Sequence, residues 1–274
     1  MLDAPRVGPL LAYWRNLRRK SQLALATEAA VSPRHVSFIE SGRSKPSRDM
    51  VLLLAGVLDI PLRERNTLLN AAGFAAAYRE SELAGPQLAA VRQALDAILA
   101  QHRPFPAVVL DRRWNLVGRN DAAERFFAFL LAGSDVGALG APNVLRLMFH
   151  PGGLRPRVVN WEQAAEALVQ RVHREAVGNA LDDDVHRVLA EVLAYPGVPA
   201  RWARPDLATS LLPIIPIQFE RDGQRFSYFS TVTTLGTPID VTAQEVRIEC
   251  FFPLDDGTRR GAERLASASH RDSQ

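Results

Sequence analysis

The side chains best suited to bind a polyanion are concentrated near the amino terminus. They donate hydrogen bonds or carry positive charge, and they are Ser32, Arg34, His35, Ser37, Arg43, Lys45 and Arg48. A guanidinium group can donate two parallel hydrogen bonds, which fits the O6 and N7 acceptors of guanine and also phosphate oxygens. Lysine and arginine neutralise phosphates without reading base identity. These residue types therefore suit contact with both the backbone and the base edges of a nucleic acid.

Residues 7–73 are predicted to form the five short helices that would position these side chains. The first is indicated by apolar residues at helical spacing between Val7 and Leu17. Residues that cap or start helices open the other four: Ser21, Ser32, Ser47 and Pro61. Pro33 strengthens the start of the third helix, and Gly42 is placed to end it.

The second and third predicted helices form a helix-turn-helix pattern, in which two short helices are joined by a turn of three or four residues. The second helix of such a pair enters the major groove of DNA with its amino end first. Arg34 is then predicted to contact a base, and His35 and Ser37 lie on or beside the same exposed face. Gln22 is placed to hold a phosphate or to brace a base-reading side chain. The predicted DNA-contacting residues are Gln22, Ser32, Arg34, His35, Ser37, Arg43, Lys45 and Arg48.

The helix-turn-helix pattern leaves two alternatives open. Such a domain can act as a protein-interaction module instead of a DNA-binding one. The basic run Arg18-Arg19-Lys20 is either a phosphate contact or a solvated helix end that the helix dipole favours. One recognition helix reads few base pairs, so two copies on a palindrome with half-sites about 34–36 Å apart are expected.

The rest of the chain predicts an α+β domain with a mostly antiparallel sheet. Two strands turn at Asp111–Arg113, an Asp222–Gly223 hairpin follows later, and EVRIECFF supplies a further strand. Long helices lie between them, one of them opening at Asn160. The polar end after Asp255 is expected to be loose. The predicted divisions are a DNA-binding domain at 1–76, a linker and connecting helix at 77–104, an α+β domain at 105–256 and a flexible tail at 257–274.

Few residues of the α+β domain suggest catalysis or metal binding. Cys250 alternates with apolar residues, so a buried structural thiol is favoured over a nucleophile. The histidines lack metal-ligand spacing, and Asp182–Asp184 is explained as a helix start. Several aromatic residues are expected mainly in the core, with two or three facing a pocket. The candidates chosen for the pocket are Phe126, Phe127, Trp161, Phe226 and Tyr228.

Composition and charge are consistent with this division of the chain. Of the 274 residues, the first 50 carry a net charge of +5 and the remainder −2, so the basic part alone is expected to meet a polyanion. The single cysteine fits a reducing compartment. No segment has the length of apolar sequence needed to span a membrane, and no signal peptide is recognised. A cytoplasmic location is predicted.

The stretch LRRKSQLALATEAAVSPRHVSFIESGRSKPSRDMVLLLAGVLDI resembles the XRE, or phage-repressor-like, helix-turn-helix domain. This resemblance implies a buried ion pair between Arg15 and Glu40. The sequence departs from the family at Ala30, where a glycine is usual. PAVVLDRRWNLVGRNDAAERFF, NVLRLMFHPGGLRPRVVNW and GTPIDVTAQEVRIECFFPLDDGT are similar to MmyB-like regulators, in which a PAS-like ligand-binding domain follows the XRE domain. That resemblance implies a cavity for a fatty-acyl-like or other apolar molecule.

The sequence therefore predicts a homodimeric transcriptional regulator that binds operator DNA and responds to a small-molecule effector. No catalytic role and no required cofactor are expected. A fatty acid or a similar apolar small molecule is the candidate bound ligand. Two other classes stay open. An enzyme tethered to DNA would need a nucleophile–base pair or paired carboxylates in the second domain. An antitoxin-like protein would use its second domain to bind a protein partner.

Overall fold

The computed structural model describes residues 6–178, 183–204, 216–236 and 238–267. The chain divides into two units, and the first comprises the residues up to Leu83 together with Gly236–Gln244. The second comprises Ala84–Leu235 and the residues from Glu245 onward. Within the described ranges, no helix has both the length and the apolar content to cross a membrane.

The amino-terminal part of the first unit contains the five helices that the sequence predicts: α1 Val7–Leu17, α2 Gln22–Glu28, α3 Pro33–Glu40, α4 Arg48–Val57 and α5 Leu62–Ala71. The expected serine caps are present, since the hydroxyls of Ser21, Ser32 and Ser47 each accept a hydrogen bond from a backbone N–H three residues further on. Each cap satisfies a donor that the start of a helix would otherwise leave unpaired. Local sequence is therefore sufficient to set these helix starts.

The turn between α2 and α3 keeps its geometry without the usual glycine. Ala30 has a φ of 53°, in the left-handed region that favours glycine.

Close packing of α1 on α3 is allowed at Gly8, where a Cβ atom would lie 2.5 Å from the carbonyl oxygen of Glu40. The apolar faces of these helices meet in one core that includes Trp14, Leu25 and Val36.

A segment distant in sequence completes the first unit. The side chain of Gln244 accepts a hydrogen bond from the backbone N–H of Leu62 at 2.7 Å, at the start of α5. Asp240 accepts one from the backbone N–H of Ser81 at 3.2 Å, and Val241 donates to the carbonyl oxygen of Arg79 at 2.8 Å. The predicted domain of residues 1–76 is therefore incomplete, since residues 77–83 and Gly236–Gln244 also belong to the first unit. The sequence pattern of residues 1–83 gives no sign of the contacts with Gly236–Gln244.

The second unit contains a five-stranded sheet with helices. Its helices are α6 Ala89–Gln101, α7 Asp121–Leu131, α8 Val144–Phe149, α9 Trp161–Gly178, α10 Asp183–Leu193 and α12 Asp256–Ser267, whereas α11 Val241–Glu245 belongs to the first unit except for its last residue. The strands are β1 Ala107–Leu110, β2 Leu116–Arg119, β3 Ile217–Arg221, β4 Gln224–Thr234 and β5 Arg247–Pro253. They lie in the order β2-β1-β5-β4-β3, with every neighbouring pair antiparallel. This is the α+β, PAS-like architecture that the sequence predicts.

The helix expected to connect the domains belongs to the second unit. The His102 ring, directly after α6, lies with its centroid 4.8 Å from that of Phe252 on β5. Leu99 is buried, and its carbonyl oxygen accepts a hydrogen bond from the side chain of Asn120 at 3.2 Å. These contacts make α6 part of the α+β fold and not a linker.

The prediction of a loose tail from residue 257 is wrong for residues 257–267, which form most of α12. Asp255 caps this helix by accepting a hydrogen bond from the backbone N–H of Thr258 at 2.7 Å. A Cβ atom at Gly261 would lie 2.7 Å from the Phe226 ring, so only glycine allows this approach. The buried stripe of the helix consists of small residues, which a polar composition conceals. Residues 268–274 lie outside the described residues.

Candidate DNA interface and ligand cavity

Helix α3 presents its amino end to solvent. Ser32, Pro33 and Arg34 are exposed, whereas Val36 and Ile39 on the opposite face are buried in the core of the unit. The expected contact residues His35 and Ser37 are half-buried. The hydroxyl of Ser32 accepts the capping hydrogen bond, so its own proton is still available to a phosphate. The leading side chains of α3 are therefore placed to meet a ligand on the outside of the unit.

An aromatic ring supports two of the arginines at this surface. The guanidinium carbon of Arg34 lies 5.1 Å from the centroid of the Phe38 ring, and that of Arg43 lies 5.9 Å from it. A guanidinium over an aromatic face is attracted by the ring quadrupole. Arg43 is exposed, as are Lys45 and Arg48. Sequence reasoning missed Phe38, although its spacing of four residues from Arg34 on one helix was a usable signal.

The ion pair implied by the family resemblance is present. Arg15 donates to both carboxylate oxygens of Glu40, with distances of 2.7 Å from Nε and 2.9 Å from a terminal nitrogen. The hydrogen bonds to Glu40 raise the pKa of Arg15 against the opposing effect of burial. Gln22 also donates to Glu40, at 2.7 Å. Gln22 is thus held by α3 through Glu40, and its second amide proton is the one available to a DNA contact.

Two members of the basic run Arg18-Arg19-Lys20, which directly follows α1, have partners within the unit. Arg18 donates to the backbone oxygens of Leu58 at 2.9 Å and Asp59 at 2.8 Å, and Lys20 pairs with Glu28. Arg18 therefore ties α1 to the end of α4. The structure favours a structural role for this residue over a phosphate contact.

A cavity of about 620 Å³ opens on the inner face of the sheet in the second unit. Its lining is mostly apolar, and it comes from β1, β2, α7, α8, α9, β3, β5, the segment 136–143 and the residues Trp114 and Leu154. The apolar lining includes Val108, Trp114, Leu116, Phe127, Leu131, Val136, Leu139, Val144, Leu147, Met148, Leu168, Ile217 and Phe251. This size and chemistry match sites that hold small apolar ligands.

Of the five aromatic residues predicted for the pocket, Phe127 lines the cavity. The prediction is wrong for Phe126, Trp161, Phe226 and Tyr228, which pack elsewhere and do not line the cavity. Phe126 contacts the rings of Phe226 and Tyr228 at centroid distances of 5.2 and 5.4 Å, and all three are buried. Trp161 packs against Phe149, Trp202 and Arg155.

The missed lining residues have two sources. The glycine-rich segment 133–142 supplies one wall of the cavity. The other residues lie on apolar faces of helices and strands, and the apolar period predicts that such a face is buried. The period cannot show that the face borders a cavity, since a filled core and a cavity wall need the same residue types.

Three polar side chains that line the cavity, Asn143, Arg119 and Glu124, form hydrogen bonds with other residues of the protein. Asn143 uses both sides of its amide, donating to Asn115 and accepting from the backbone of α8. Arg119 donates to Glu124 at 3.1 Å, and both side chains are more than 40% exposed. Asn143 is therefore structural, and the Arg119–Glu124 pair marks the solvent side of the cavity.

Cys250 lies away from the cavity. It is buried on β5, and the strand alternation places it on the face opposite its cavity-lining neighbours Glu249 and Phe251. Burial, and to a smaller extent the charge of Glu249, raises the pKa of the Cys250 thiol. Both effects suppress the reactive thiolate. Among the described residues, no group of three or more potential ligands could hold a metal ion.

The fold and these two sites define a helix-turn-helix protein with a ligand-binding domain. A family model described as helix-turn-helix matches residues 11–65. A second, described as "MmyB-like transcription regulator ligand binding domain", matches residues 91–265, more than half of the chain. The chain belongs to this family of MmyB-like transcription regulators.

One solved structure is described as "Structure of an RNA-binding Light-Oxygen-Voltage Receptor". It is 13% identical to this chain, with a TM-score of 0.29. The match covers 98% of this chain, which spans 62% of the length of that solved chain. So low a TM-score supports no conclusion about function. No curated protein matches the chain.

Proposed function

We propose that this protein binds operator DNA in the cytoplasm through α3 and its flanking residues. The observation that carries this proposal is the exposed amino end of α3, where Arg34 and its neighbours face solvent beside Arg43, Lys45 and Arg48. In this proposal Arg34 reads a base in the major groove, and the later cations neutralise phosphates. Gln22, Ser32, His35 and Ser37 add hydrogen bonds around it.

The protein acts as a homodimer on a palindromic operator in this proposal, because one α3 reads too few base pairs for selectivity. Selection of bound sequences from random duplex DNA tests it. The expected result is an enriched palindrome whose half-sites lie about one helical turn apart. Recovery of unenriched sequence would contradict sequence-specific binding.

The second unit is proposed to sense a small apolar, fatty-acyl-like molecule, without catalysis and with no required cofactor. The cavity of about 620 Å³ and its mostly apolar lining support this proposal. Native mass spectrometry of the purified protein, followed by extraction and identification of any bound compound, tests it. A protein that carries no small molecule and takes up none of a set of apolar compounds would contradict it.

Ligand binding is proposed to change operator affinity, since the family joins the two functions in one chain. A ligand shifts such an equilibrium only by its differential affinity for the two states. The measurement is operator affinity with the cavity empty and filled. Equal affinities in the two conditions would contradict the coupling while leaving both binding activities in place.

A further inference from the structure

An irregularity in β2 places Arg119 on the cavity face of the sheet. Val108 pairs with Arg119 and Leu110 pairs with Leu116, with a shift of register between them. The extra residue on β2 brings both Leu116 and Arg119 to the inner face, where both line the cavity. Bulges commonly redirect a side chain in this way.

The same row of the sheet carries a carboxylate. Val108 pairs with Glu249 on its other side, so Arg119, Val108 and Glu249 lie side by side across three strands. Residues directly opposite each other on antiparallel strands project to the same face. Glu249 accordingly lines the cavity, between Val108 on β1 and Val232 on β4.

Glu249 is buried but has few partners. It is 8% exposed, and Ser230 Oγ donates to its Oε1 at 2.5 Å. The described residues provide no other side-chain hydrogen bond to this carboxylate. A buried carboxylate costs free energy unless hydrogen bonds or an opposite charge compensate it. Its second oxygen can therefore accept a hydrogen bond from a molecule in the cavity.

The charges around the cavity disfavour an anionic occupant. The described lining contains two carboxylates, Glu124 and Glu249, and one cation, Arg119, so it carries a net charge of −1. The cation already donates to Glu124. A free carboxylate placed near Glu249 would meet repulsion in surroundings of low polarity, where charges are poorly screened.

We propose that Glu249 discriminates between ligands of the cavity by their polar end. It favours an apolar chain that ends in a hydrogen-bond donor, such as a hydroxyl group, over one that ends in a free carboxylate. This inference rests on the proposed small-molecule function of the second unit and narrows its ligand class. The donor of the ligand binds Oε2 of Glu249, and the chain lies against the apolar lining.

The test compares dodecanol, methyl dodecanoate and dodecanoate, which share a chain length and differ in the polar end. Binding to the full-length protein is measured at pH 8, below the concentrations at which the probes form micelles. A hydrogen bond to a charged group is stronger than a neutral one. Dodecanol is therefore expected to bind at least about tenfold more tightly than dodecanoate, and more tightly than the ester.

Glu249→Gln removes the charge with almost no change of shape. It is expected to reduce the preference for dodecanol over dodecanoate to about twofold or less, mainly by improving dodecanoate binding. Glu220→Gln is the matched control, since Glu220 lies on β3 in an exposed ion pair with Arg225 and does not line the cavity. This control is expected to keep the wild-type preference.

The outcomes separate the two proposals. Binding of all three probes with equal affinity, or tightest binding of dodecanoate, would overturn the role of Glu249 and leave the ligand-binding function standing. Binding of none of the three would overturn both. The wild-type comparison decides the question even if Glu249→Gln does not fold.

Discussion

The guanidinium of Arg34 lies over the ring of Phe38, one helical turn further along α3, with 5.1 Å between the guanidinium carbon and the ring centroid. Arg43 approaches the same ring at 5.9 Å. Phe38 is half-buried, so its position is fixed by the fold and it limits the positions open to both arginines. Arg34, proposed to read a base, and Arg43, proposed to bind a phosphate, therefore contact the same side chain.

Replacing Phe38 by leucine is expected to weaken operator binding about two- to fivefold, because the ring's attraction for the two guanidinium groups is lost. Phe38→Tyr retains the aromatic face and is expected to bind as the wild type does. Operator affinity by fluorescence anisotropy measures both, with circular dichroism to check folding. Wild-type affinity in the leucine variant would show that the ring has no positioning role.

Arg34 and Arg43 are expected to differ in what they contribute. Arg34→Ala should relax preference at one base pair by about 1–3 kcal/mol. Arg43→Ala should weaken binding to all sequences and reduce the salt slope by about 1. Affinity for an operator and its single-base variants over a range of salt distinguishes them. Arg225→Ala is the control, because this side chain is exposed on β4 of the second unit. Sequence-independent losses from both variants would contradict base reading by Arg34.

The Arg15–Glu40 pair is expected to stabilise the first unit. Both side chains are largely buried, at 12% and 6% exposed. Glu40→Ala leaves Arg15 without its carboxylate and frees Gln22, and it should lower the free energy of unfolding by about 3 kcal/mol. Urea denaturation measures this loss. The double variant Arg15→Met with Glu40→Leu should lose less, since no buried charge is left alone. Equal losses in the two variants would argue against the pair.

Ala128 offers a way to close the cavity without disturbing the core. It lines the cavity yet is exposed on α7. Ala128→Trp is expected to reduce uptake of apolar probes at least about tenfold, while stability changes by roughly 0.5 kcal/mol or less. Ala132→Trp, exposed at the end of the same helix and outside the lining, is the matched control. Unchanged uptake in Ala128→Trp would place the ligand elsewhere.

Glu191 is expected to make stability depend on pH. Arg146 donates to both of its oxygens at 2.9 and 2.8 Å, joining α8 to α10, and Tyr195 donates to it at 2.7 Å. These hydrogen bonds, that from Arg146 first, lower the pKa of Glu191 below its ordinary value of 4.5. A lowered folded-state pKa gives stability that is complete above the unfolded value and declines as the pH falls through the folded one.

Glu191→Gln should therefore unfold more easily than the wild type at pH 7, by roughly 0.5–1 kcal/mol because the pair is partly exposed. The difference should shrink as the pH falls below about 4.5 and disappear at more acidic pH. Urea denaturation over this pH range measures it. A difference that is constant with pH would show that the glutamine acts through packing and not through charge.

Local signals account for the parts of the fold that could be predicted. The starts of α2, α3 and α4 depend on serine side chains and backbone donors within three residues of each other, so the sequence contains both partners. The period of Val36 and Ile39 likewise decides which face of α3 is buried, and therefore that Arg34 is exposed. Both inferences need only neighbours along one helix.

Non-local packing accounts for what was missed. Phe126 and Phe127 are adjacent on α7, yet Phe126 packs on Phe226 and Phe127 lines the cavity. The composition of α12 resembles that of a solvated tail, yet Gly261 packs closely against the Phe226 ring on β4. Neither distinction is present in the sequence pattern of a single element.

The amino-acid sequence by itself determined the helix-turn-helix, the basic surface that α3 exposes and the antiparallel α+β class, because helical period, capping and turn residues act over a few positions. The tertiary structure alone decided where the void lies, that Glu249 and Arg119 border it, and that Gln244 completes the first unit. Each of these depends on strand register or on a contact between residues far apart in sequence, and such contacts are set by packing of the whole chain.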